Sequence, residues 1–316
     1  MYNTGVFFNM NKTNRTCLYF PDKNSNFDET EKIFVANILT CILNCLFSLV
    51  TCTGNFLIAL TIGKTQDLHR PSFILLGCLA TSDLLVGLIC QPLFVAEKIA
   101  ELKESFASFC TLKRLNALST WTTAGVPFSL LAAVSVDRLL ALTLHLRYNT
   151  IVTNARVLQT IAAIYAFFIT INVIRFWTTF PSYFILTIVF CPTFLVITVS
   201  TLKIFQIVRR HHRQINDQTE PVRRLQSNTV NVFKCKKSAL TVLYIYGMVL
   251  VFYLPYVVVQ IVDVFVIGST RTIRIAYDYA ATAVFINSFI NPLVYCWRIR
   301  EIKRAVKNIL RRERPT

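Results

Sequence analysis

Apolar residues in this chain are gathered into seven long blocks that are separated by short polar stretches. The blocks cover residues 33–62, 71–96, 109–144, 157–177, 183–207, 239–267 and 275–297. Most of them exceed the roughly 20 residues that an α-helix needs to cross the hydrocarbon core of a bilayer. The pattern therefore predicts an all-α fold, a bundle of seven transmembrane helices, with the two chain ends on opposite sides of the membrane.

The polar stretches divide the chain into three parts: residues 1–32, a membrane domain at residues 33–297, and a tail at residues 298–316. In the tail, apolar residues at 299, 302, 306, 309 and 310 share one helical face, and the opposite face is basic. Such a helix is too polar to span a membrane and is expected to lie along its surface. We therefore predict a short amphipathic eighth helix.

Composition and charge agree with a membrane protein rather than a soluble one. Of 316 residues, 54% are hydrophobic and only 16% are charged, with a net charge of +17. Most Lys and Arg residues fall on one side of the predicted bundle, in the connection around residues 209–237 and in the tail. The positive-inside rule places that side in the cytosol and the N-terminus outside, as in a multi-pass plasma-membrane protein. The cations adjoin the membrane, so we expect anionic lipid as their partner and not nucleic acid.

The leader before the first span has features of an extracellular segment. It lacks the cationic start and apolar run of a cleaved signal peptide, so the first span is expected to serve as the signal. Asn11 and Asn14 each begin an Asn-X-Thr triplet and are predicted glycosylation sites. Cys17 and Cys110 are the two cysteines placed outside, where a disulfide between them is permitted.

Several polar groups lie inside the predicted spans, where each is a candidate for function. Asp83 is in the middle of the second span and needs a partner, a proton or a cation. The residues that are able to converge on it from the first and last spans are Asn55, Asn287, Ser288 and Asn291. Together they offer oxygen ligands for a small hard cation. The alternative is a neutral, hydrogen-bonded acid that only holds helices together.

An acid–base pair and two prolines complete the candidate residues. Asp137 and Arg138 end the third span as a neutral local pair, or else Arg138 only extends its head group to the interface. Pro255 breaks the sixth span and Pro292 the seventh. A proline kink permits a hinge between the two halves of a helix, although many such kinks are static.

Taken together, these motifs resemble those of the rhodopsin-like family of G-protein-coupled receptors, over about residues 33–312. Gly54-Asn55 is similar to the family's GN motif, and residues 79–83 (LATSD) to LAxxD. Asp137-Arg138-Leu139, followed by Leu146 and Tyr148, resembles DRYxAIxxPLxY. Residues 252–255 (FYLP) stand where the family has CWxP, and residues 291–295 (NPLVY) match NPxxY.

The resemblance implies a receptor with no catalytic residues. An agonist would bind in an outer pocket, the sixth helix would swing outward about Pro255, and a heterotrimeric G protein would bind the opened cytosolic face. Arg138 would leave Asp137 to contact the G protein and Tyr295, and Leu146 would enter a groove of the G protein. The resemblance also implies a sodium ion at Asp83, with Asn287, Ser288 and Asn291, and no other cofactor.

Departures from the family pattern carry expectations of their own. Cys235 stands where some members have an acid that pairs with the arginine of the third span, so we expect ligand-independent activity. Tyr253 replaces the family's tryptophan, and Pro127 falls where a serine often completes the sodium site. The connection at about residues 175–183 is short and lacks a cysteine, which leaves Cys110 without the family's usual partner.

The predicted ligand pocket is mostly aromatic and apolar. Its wall is expected to comprise Thr120, Trp121, Tyr253, Tyr256, Gln260, Tyr277 and Ala281, although ordinary packing explains each residue equally well. By comparison with the family, Thr120 stands where amine receptors have an aspartate, and Phe285 where opsins have a lysine. We therefore expect a small apolar or aromatic molecule or a lipid rather than an amine. A peptide is the alternative, because Asp263, Arg271, Arg274 and Asp278 lie near the mouth.

Two other classes of membrane protein fit the sequence less well. A secondary transporter tends to show two halves with matching broken helices, and the chain has no such symmetry. A membrane enzyme needs a metal cluster or a nucleophile with its base. The four histidines, at 69, 145, 211 and 212, are too scattered for a metal site.

Overall fold

The computed structural model describes residues 31–144, 147–177, 186–216, 246–263 and 271–311, together with residues 244 and 265. Its long helices are α1 (Glu31–Lys64), α2 (Pro71–Leu102), α3 (Phe106–Leu144), α4 (Asn154–Trp177), α5 (Cys191–Asn216), α6 (Tyr246–Asp263), α7 (Arg271–Arg298) and α8 (Arg300–Leu310). Short helical turns at Gln66–Leu68 and Tyr148–Ile151 join α1 to α2 and α3 to α4.

The architecture is an all-helical bundle. Helices α1–α7 are long and apolar enough to cross a membrane, and the described residues contain no strand. The predicted seven-helix bundle is therefore confirmed. Helix α5 continues past residue 207 to Asn216, and α2 continues past residue 96 to Leu102. Charged residues end the apolar block there, but they do not end the helix, because they find partners on neighbouring helices.

Apolar side chains cover both the inside and the outside of the bundle. The central contacts are made by α3, which packs against α2, α4 and α5, while α1 packs against α2 and α7. Leu79, Leu130 and Ile197 are fully buried, whereas Leu46 and Leu49 of α1 are 60% and 68% exposed. Large exposed apolar side chains on span-length helices are expected where the surrounding medium is lipid.

Two prolines each follow a π-helical segment. The segment Val86–Cys90 precedes Pro92 in α2, and Leu186–Phe190 precedes Pro192 in α5. A proline removes one backbone hydrogen bond and crowds the preceding turn, and the wider π turn relieves that crowding. At Gly87, an added Cβ would lie 2.8 Å from the Cys52 sulfur atom, so α1 and α2 approach closely here. The bulge therefore also fixes how α2 packs on α1.

The amphipathic helix α8 packs one face against α1 and α7. Ile302, Ala305 and Val306 are buried on that face, while Lys303 and Lys307 are exposed on the other. This division arises because apolar residues recur every three to four positions. Helix α8 lies at the same end of the bundle as Asp137, which the sequence predicts to be cytosolic.

Candidate functional site

The centre of the bundle contains a completely buried carboxyl group, that of Asp83 on α2. The Asn291 side-chain amide on α7 donates a hydrogen bond of 2.7 Å to Oδ2 of Asp83, and the Ser288 side chain interacts with the same carboxyl group. The second oxygen, Oδ1, has no hydrogen-bond partner among the described residues. Asp83 therefore joins α2 to α7 and keeps one acceptor open.

Asn55 has a different role from the one expected. Proline at position 292 cannot donate to the carbonyl four residues earlier, which is that of Ser288. The Asn55 amide on α1 donates to this carbonyl at 2.9 Å. Its neighbour Gly54 allows the approach, because an added Cβ would lie 3.2 Å from the Pro292 ring. Asn55 thus satisfies the backbone group that Pro292 leaves free and does not bind Asp83 directly.

Other buried polar atoms around Asp83 also lack partners among the described residues. They are Oγ1 of Thr51, Oδ1 of Asn55, both amide atoms of Asn287 and the hydroxyl of Tyr295. A buried polar atom without a hydrogen bond costs roughly 1–3 kcal/mol. Water would restore the missing hydrogen bonds, and the oxygen atoms of this set, beside a carboxyl group, also suit a small hard cation.

At the predicted cytosolic end of α3, two hydroxyl groups lie closer to the Asp137 carboxylate than its neighbour Arg138 does. The Tyr148 hydroxyl donates to Oδ1 of Asp137 at 2.6 Å, and the Ser72 hydroxyl donates to Oδ2 at 2.8 Å. The Arg138 Nε lies 3.9 Å from the same Oδ2. The expected pair between Asp137 and Arg138 is therefore present but long, and Ser72 is a partner that the sequence motifs do not reveal.

Tyr148 lies in the short helix between α3 and α4, and its surroundings change the pKa of its phenol. Burial, and next the hydrogen bond to Asp137, raise the pKa of Tyr148 to about 12. The raised pKa keeps the phenol protonated and able to donate at every physiological pH. The short helix Tyr148–Ile151 thereby fixes the carboxyl group beside Arg138.

An aromatic stack connects three helices near the proline of α6. The ring of Phe128 on α3 lies 4.7 Å from that of Phe190 and 4.8 Å from that of Tyr253 on α6, measured between centroids. Tyr253 is buried and precedes Pro255 by two residues. The stack therefore makes an aromatic contact beside the segment that contains Pro255.

Above this stack is a small cavity of about 20 Å³, which has room for about one water molecule. Its lining residues are Thr120, Trp121, Gly125, Phe190, Tyr253, Tyr256, Ala281, Val284 and Phe285. The structure thus brings together five of the residues that the sequence placed in the ligand pocket. Phe190, Val284 and Phe285 were missed, because an apolar residue within an apolar span carries no pattern that distinguishes a pocket wall from packing.

Gln260 and Tyr277, also expected in the pocket, lie outside the cavity lining and contact Tyr256 instead. The Gln260 amide donates to the Tyr256 hydroxyl at 3.2 Å, and the Tyr277 ring meets the Tyr256 ring edge-on at 5.9 Å. The Tyr277 hydroxyl donates to Asp263 at 3.3 Å. These residues form the next layer above the cavity and determine where Tyr256 lies.

A hydrogen-bonded chain leads from the cavity towards the predicted outer end. The Thr120 hydroxyl donates to Oδ1 of Asn116 at 3.0 Å, and the Asn116 amide donates to Glu97 at 2.6 Å. Glu97 is only 7% exposed. A carboxyl group of α2 is therefore connected through two polar side chains of α3 to the cavity wall.

Ion pairs between α2 and α7 lie beside Glu97. The Lys98 ammonium is 2.6 Å from Asp278 and 3.4 Å from Glu101, and Arg274 pairs with Glu101. Asp278 and Arg274, which the sequence left as charges for a ligand, thus bind partners on α2. With Glu97, the cluster contains three acids and two bases.

Several predicted residues lie outside what the structure describes. They are the glycosylation sites Asn11 and Asn14, the coupling residue Leu146, the residues around Cys235, and the side chain of Arg271. Cys110 is disulfide-bonded, and its partner also lies outside the described residues.

The order and spacing of these sites can be compared with known proteins. The family model of the seven-transmembrane receptors of the rhodopsin family matches residues 54–182 and 173–295 of this chain. The chain belongs to that family. It is therefore a membrane receptor with an extracellular ligand that signals through G proteins, and the family is not one of enzymes.

Individual relatives are distant but cover most of the receptor. This chain is 27% identical over 296 residues to trace amine-associated receptor 5 of Rattus norvegicus. The alignment covers 84% of this chain and 82% of the relative. The Mus musculus protein of the same name matches with the same identity and coverage. The residues that the family model matches include the cavity, the aromatic stack, and Asp83 and Asp137.

Proposed function

We propose that this receptor responds to a small ligand with an aromatic or apolar body, which binds in the cavity beside Thr120 and Trp121. The observation that supports this is the aromatic stack of Phe128, Phe190 and Tyr253. Phe190 and Tyr253 line the cavity, and Tyr253 lies two residues before Pro255 on α6. A ligand that enlarges the cavity must displace these rings, and the displacement moves α6 at its kink.

Activation is then a shift between two populations. The cavity of about 20 Å³ is far smaller than the roughly 300–1,000 Å³ of typical ligand pockets. The described conformation thus binds ligand poorly, and an agonist favours an open form because it binds that form more tightly. In the open form, α6 swings outward, and Arg138 leaves Asp137 to contact the G protein and Tyr295.

We place the receptor in the plasma membrane with its N-terminus outside and α8 in the cytosol, where the basic face of α8 contacts anionic lipid. The exposed Lys303 and Lys307 support this orientation. For sodium, the chemistry of the Asp83 site fits a small cation, since Asp83 and Asn287 both have oxygens without partners among the described residues. Bound sodium would favour the closed form by neutralising Asp83 between α2 and α7.

A second candidate ligand is an amine with an aromatic group. The sequence argues against an amine because Thr120 replaces the aspartate found in amine receptors. However, Glu97 is linked to Thr120 through Asn116, and its cluster has one more acid than bases. The names of the rat and mouse relatives point to the same ligand class. In this alternative the ring occupies the cavity and the ammonium group binds Glu97.

A peptide ligand is less well supported, because Arg274 and Asp278 at the mouth are engaged in ion pairs with α2. A transporter has no support from the family. Glu97 binds the ligand in the amine alternative but not in the proposal of an apolar ligand. A single substitution of Glu97 therefore separates the two small-molecule candidates.

The test is a panel of G-protein biosensors in cells that express the receptor at matched surface levels. A library of neutral lipids and aromatics, amines and peptides would be applied to the wild type and to Arg138→Ala and Glu97→Gln variants. We expect Arg138→Ala to abolish both basal and ligand-dependent signals. Equal signals with and without the arginine would refute coupling through this site. An aromatic amine that keeps its potency on Glu97→Gln would show that its ammonium group does not bind Glu97. An active peptide alone would exclude the small-molecule proposal.

A further inference from the structure

One aromatic contact joins α6 to α7 at the predicted cytosolic end, apart from the stack around Tyr253. The ring of Tyr244 lies 5.5 Å from the ring of Trp297, measured between centroids, and the two planes are inclined at 69°. This is an edge-to-face arrangement, which aromatic pairs favour. Tyr244 precedes the described start of α6 by two residues and is itself helical. Neither ring belongs to the family motifs or to the cavity lining.

The indole of Trp297 also contacts a cation. The guanidinium Cζ of Arg298 lies 5.4 Å from the centre of the ring, which is within the range of a cation–π interaction. Nε and Nη2 of Arg298 are buried and have no hydrogen-bond partner among the described residues. The indole is therefore positioned by two groups, the phenol ring of Tyr244 and the guanidinium group of Arg298.

Trp297 lies on a part of the bundle that is anchored on both sides in sequence. It is the penultimate residue of α7, and the Ile299 backbone N–H donates to the Tyr295 carbonyl at 2.9 Å, which closes the last turn around it. The following helix α8 packs against both α1 and α7 and buries Ile302 completely. Trp297 is therefore a fixed point against which α6 can be held.

Tyr244 lies on the part of the receptor that the proposed activation moves. It precedes Pro255 by eleven residues, which is about 16 Å along a helix. A rotation of about 20° at the proline kink would displace the Tyr244 ring by roughly 6 Å. Aromatic rings attract each other at centroid separations of about 4.5–7 Å, so an outward displacement of that size separates Tyr244 from Trp297. The contact is therefore specific to the closed form.

We propose that Trp297 is a positioning residue that restrains α6 in the closed form through its contact with Tyr244. This inference rests on the outward swing of α6 in the proposed function, and it adds a restraint that is separate from the ligand cavity and from Asp137. Cys235 brings no acid to pair with Arg138, so an aromatic contact between α6 and α7 takes on that restraint. Tyr244 and Trp297 are 44% and 63% exposed, so the contact opens without repacking of the core.

The first test measures basal G-protein activation in cells with matched surface expression. We expect Trp297→Leu and Tyr244→Leu each to raise it about two- to tenfold, the factor by which one aromatic pair changes an equilibrium. The double variant should rise no further than either single variant, because both substitutions remove the same contact. Tyr244→Phe keeps the ring and should match the wild type. Tyr279→Leu is the control, because Tyr279 is an exposed aromatic residue nearer the opposite end of α7.

The second test observes the contact itself, in the full-length receptor in nanodiscs and without any G protein. The chain has tryptophan only at positions 121, 177 and 297, so 5-fluorotryptophan labelling gives three ¹⁹F resonances, which replacement of each tryptophan by phenylalanine assigns. We expect Tyr244→Leu to shift the Trp297 resonance, because the ring current of Tyr244 is lost, and Tyr279→Leu to leave it in place. Binding of a nucleotide-free G protein to the wild type should shift the same resonance, because α6 then leaves α7.

Thermal unfolding establishes that Trp297→Leu is folded, and Tyr244→Leu keeps the test valid if it is not. Basal signals at the wild-type level in the leucine variants, or rises that add in the double variant, would overturn the restraint. A Trp297 resonance that ignores Tyr244→Leu or the bound G protein would overturn it as well. The proposed function is judged separately: a rise in Trp297→Leu that survives the added Arg138→Ala substitution would refute coupling through Arg138 and still support the restraint.

Discussion

At the scale of single residues, the pairing of Asn55 with the Ser288 carbonyl explains why a glycine and an asparagine are adjacent in α1. Gly54 makes room for the Pro292 ring, and Asn55 supplies the donor that proline lacks. The sequence indicated that these residues belong to one site. It did not indicate that Asn55 binds backbone rather than Asp83, because that depends on how α1 is rotated against α7.

Replacement of Asn55 by alanine should destabilise the receptor. The buried Ser288 carbonyl would lose its donor, which costs about 1–3 kcal/mol. We expect a lower thermal unfolding temperature for the purified protein. The control is Thr53→Ala on the same helix, because Thr53 is exposed and its hydroxyl binds only its own helix. Equal stability of the two variants would show that the Asn55 bond contributes nothing measurable.

Replacement of Tyr148 by phenylalanine should raise basal signalling. It removes the shorter of the two hydroxyl contacts to Asp137 and leaves the carboxyl group freer to move, together with Arg138. We expect a several-fold rise in basal G-protein activation at matched surface expression. Thr150→Ala, on the same short helix but exposed, is the control. A Tyr148→Phe receptor as quiet as the control would contradict the role of this contact.

The titration of Tyr148 determines the pH range over which its hydrogen bond to Asp137 persists. Its pKa is raised to about 12 from 10.0, so the stabilisation is complete below pH 10 and is lost only as the pH rises towards 12. The Tyr148 contact should therefore be independent of pH in a basal-signalling assay between pH 6 and 8. A change of basal activity over that range has to come from another group.

At the scale of helices, ion pairs join α2 to α7 at the predicted outer end. Lys98 is 3% exposed and pairs with Asp278 and Glu101. Removal of one member of a buried pair costs about 3–5 kcal/mol, whereas replacement of both by apolar groups costs much less. We therefore expect Lys98→Met and Asp278→Leu each to lower stability.

The double variant should be more stable than the sum of the single effects predicts, by about 1–3 kcal/mol. Thermal unfolding of the four proteins in one detergent measures this coupling. Lys64→Met is the control for loss of a charge, because Lys64 is an exposed lysine at the C-terminal end of α1. Additive single effects would show that the pair does not join the two helices.

Helices were the features most readily predicted from sequence. Long apolar blocks gave the spans, and the three-to-four residue repeat gave α8. The π segments before Pro92 and Pro192 were not predicted, because a π turn needs no particular residue and depends on how the helix packs. The extension of α2 to Leu102 was also missed, since charged residues end an apolar pattern whether or not their partners lie on the next helix.

At the scale of the whole molecule, the site was predicted less completely than the fold. Family motifs located Asp83, Asp137 and Pro255 within the bundle. Ser72, Asn116 and Glu97 carry no motif and become visible only when three helices are side by side. The cavity wall was half predicted for the same reason, because the rotation of each helix decides which apolar residue faces inward.

Substitution of Asp137 tests whether the hydrogen bonds around this residue restrain the whole receptor from activating the G protein without ligand. Cys235 stands where some members have a second acid, so Asp137 and its hydroxyl partners remain the described restraint near Arg138. We expect Asp137→Asn to raise basal G-protein activation above that of the wild type, which should itself be measurable. The added Arg138→Ala substitution should abolish the rise. Asp67→Asn, an exposed acid at the same end, serves as the control. No increase for Asp137→Asn would mean that this network does not restrain the receptor.

The small volume of the inner cavity also has a consequence for kinetics. If the space beside Trp121 is open only part of the time, a visiting molecule has to wait for an opening, and its entry rate reaches a plateau at high concentration. Stopped-flow association of a fluorescent agonist should show such saturation. Residence should be long once the gap has closed behind the agonist, so signalling would outlast a brief pulse of stimulus.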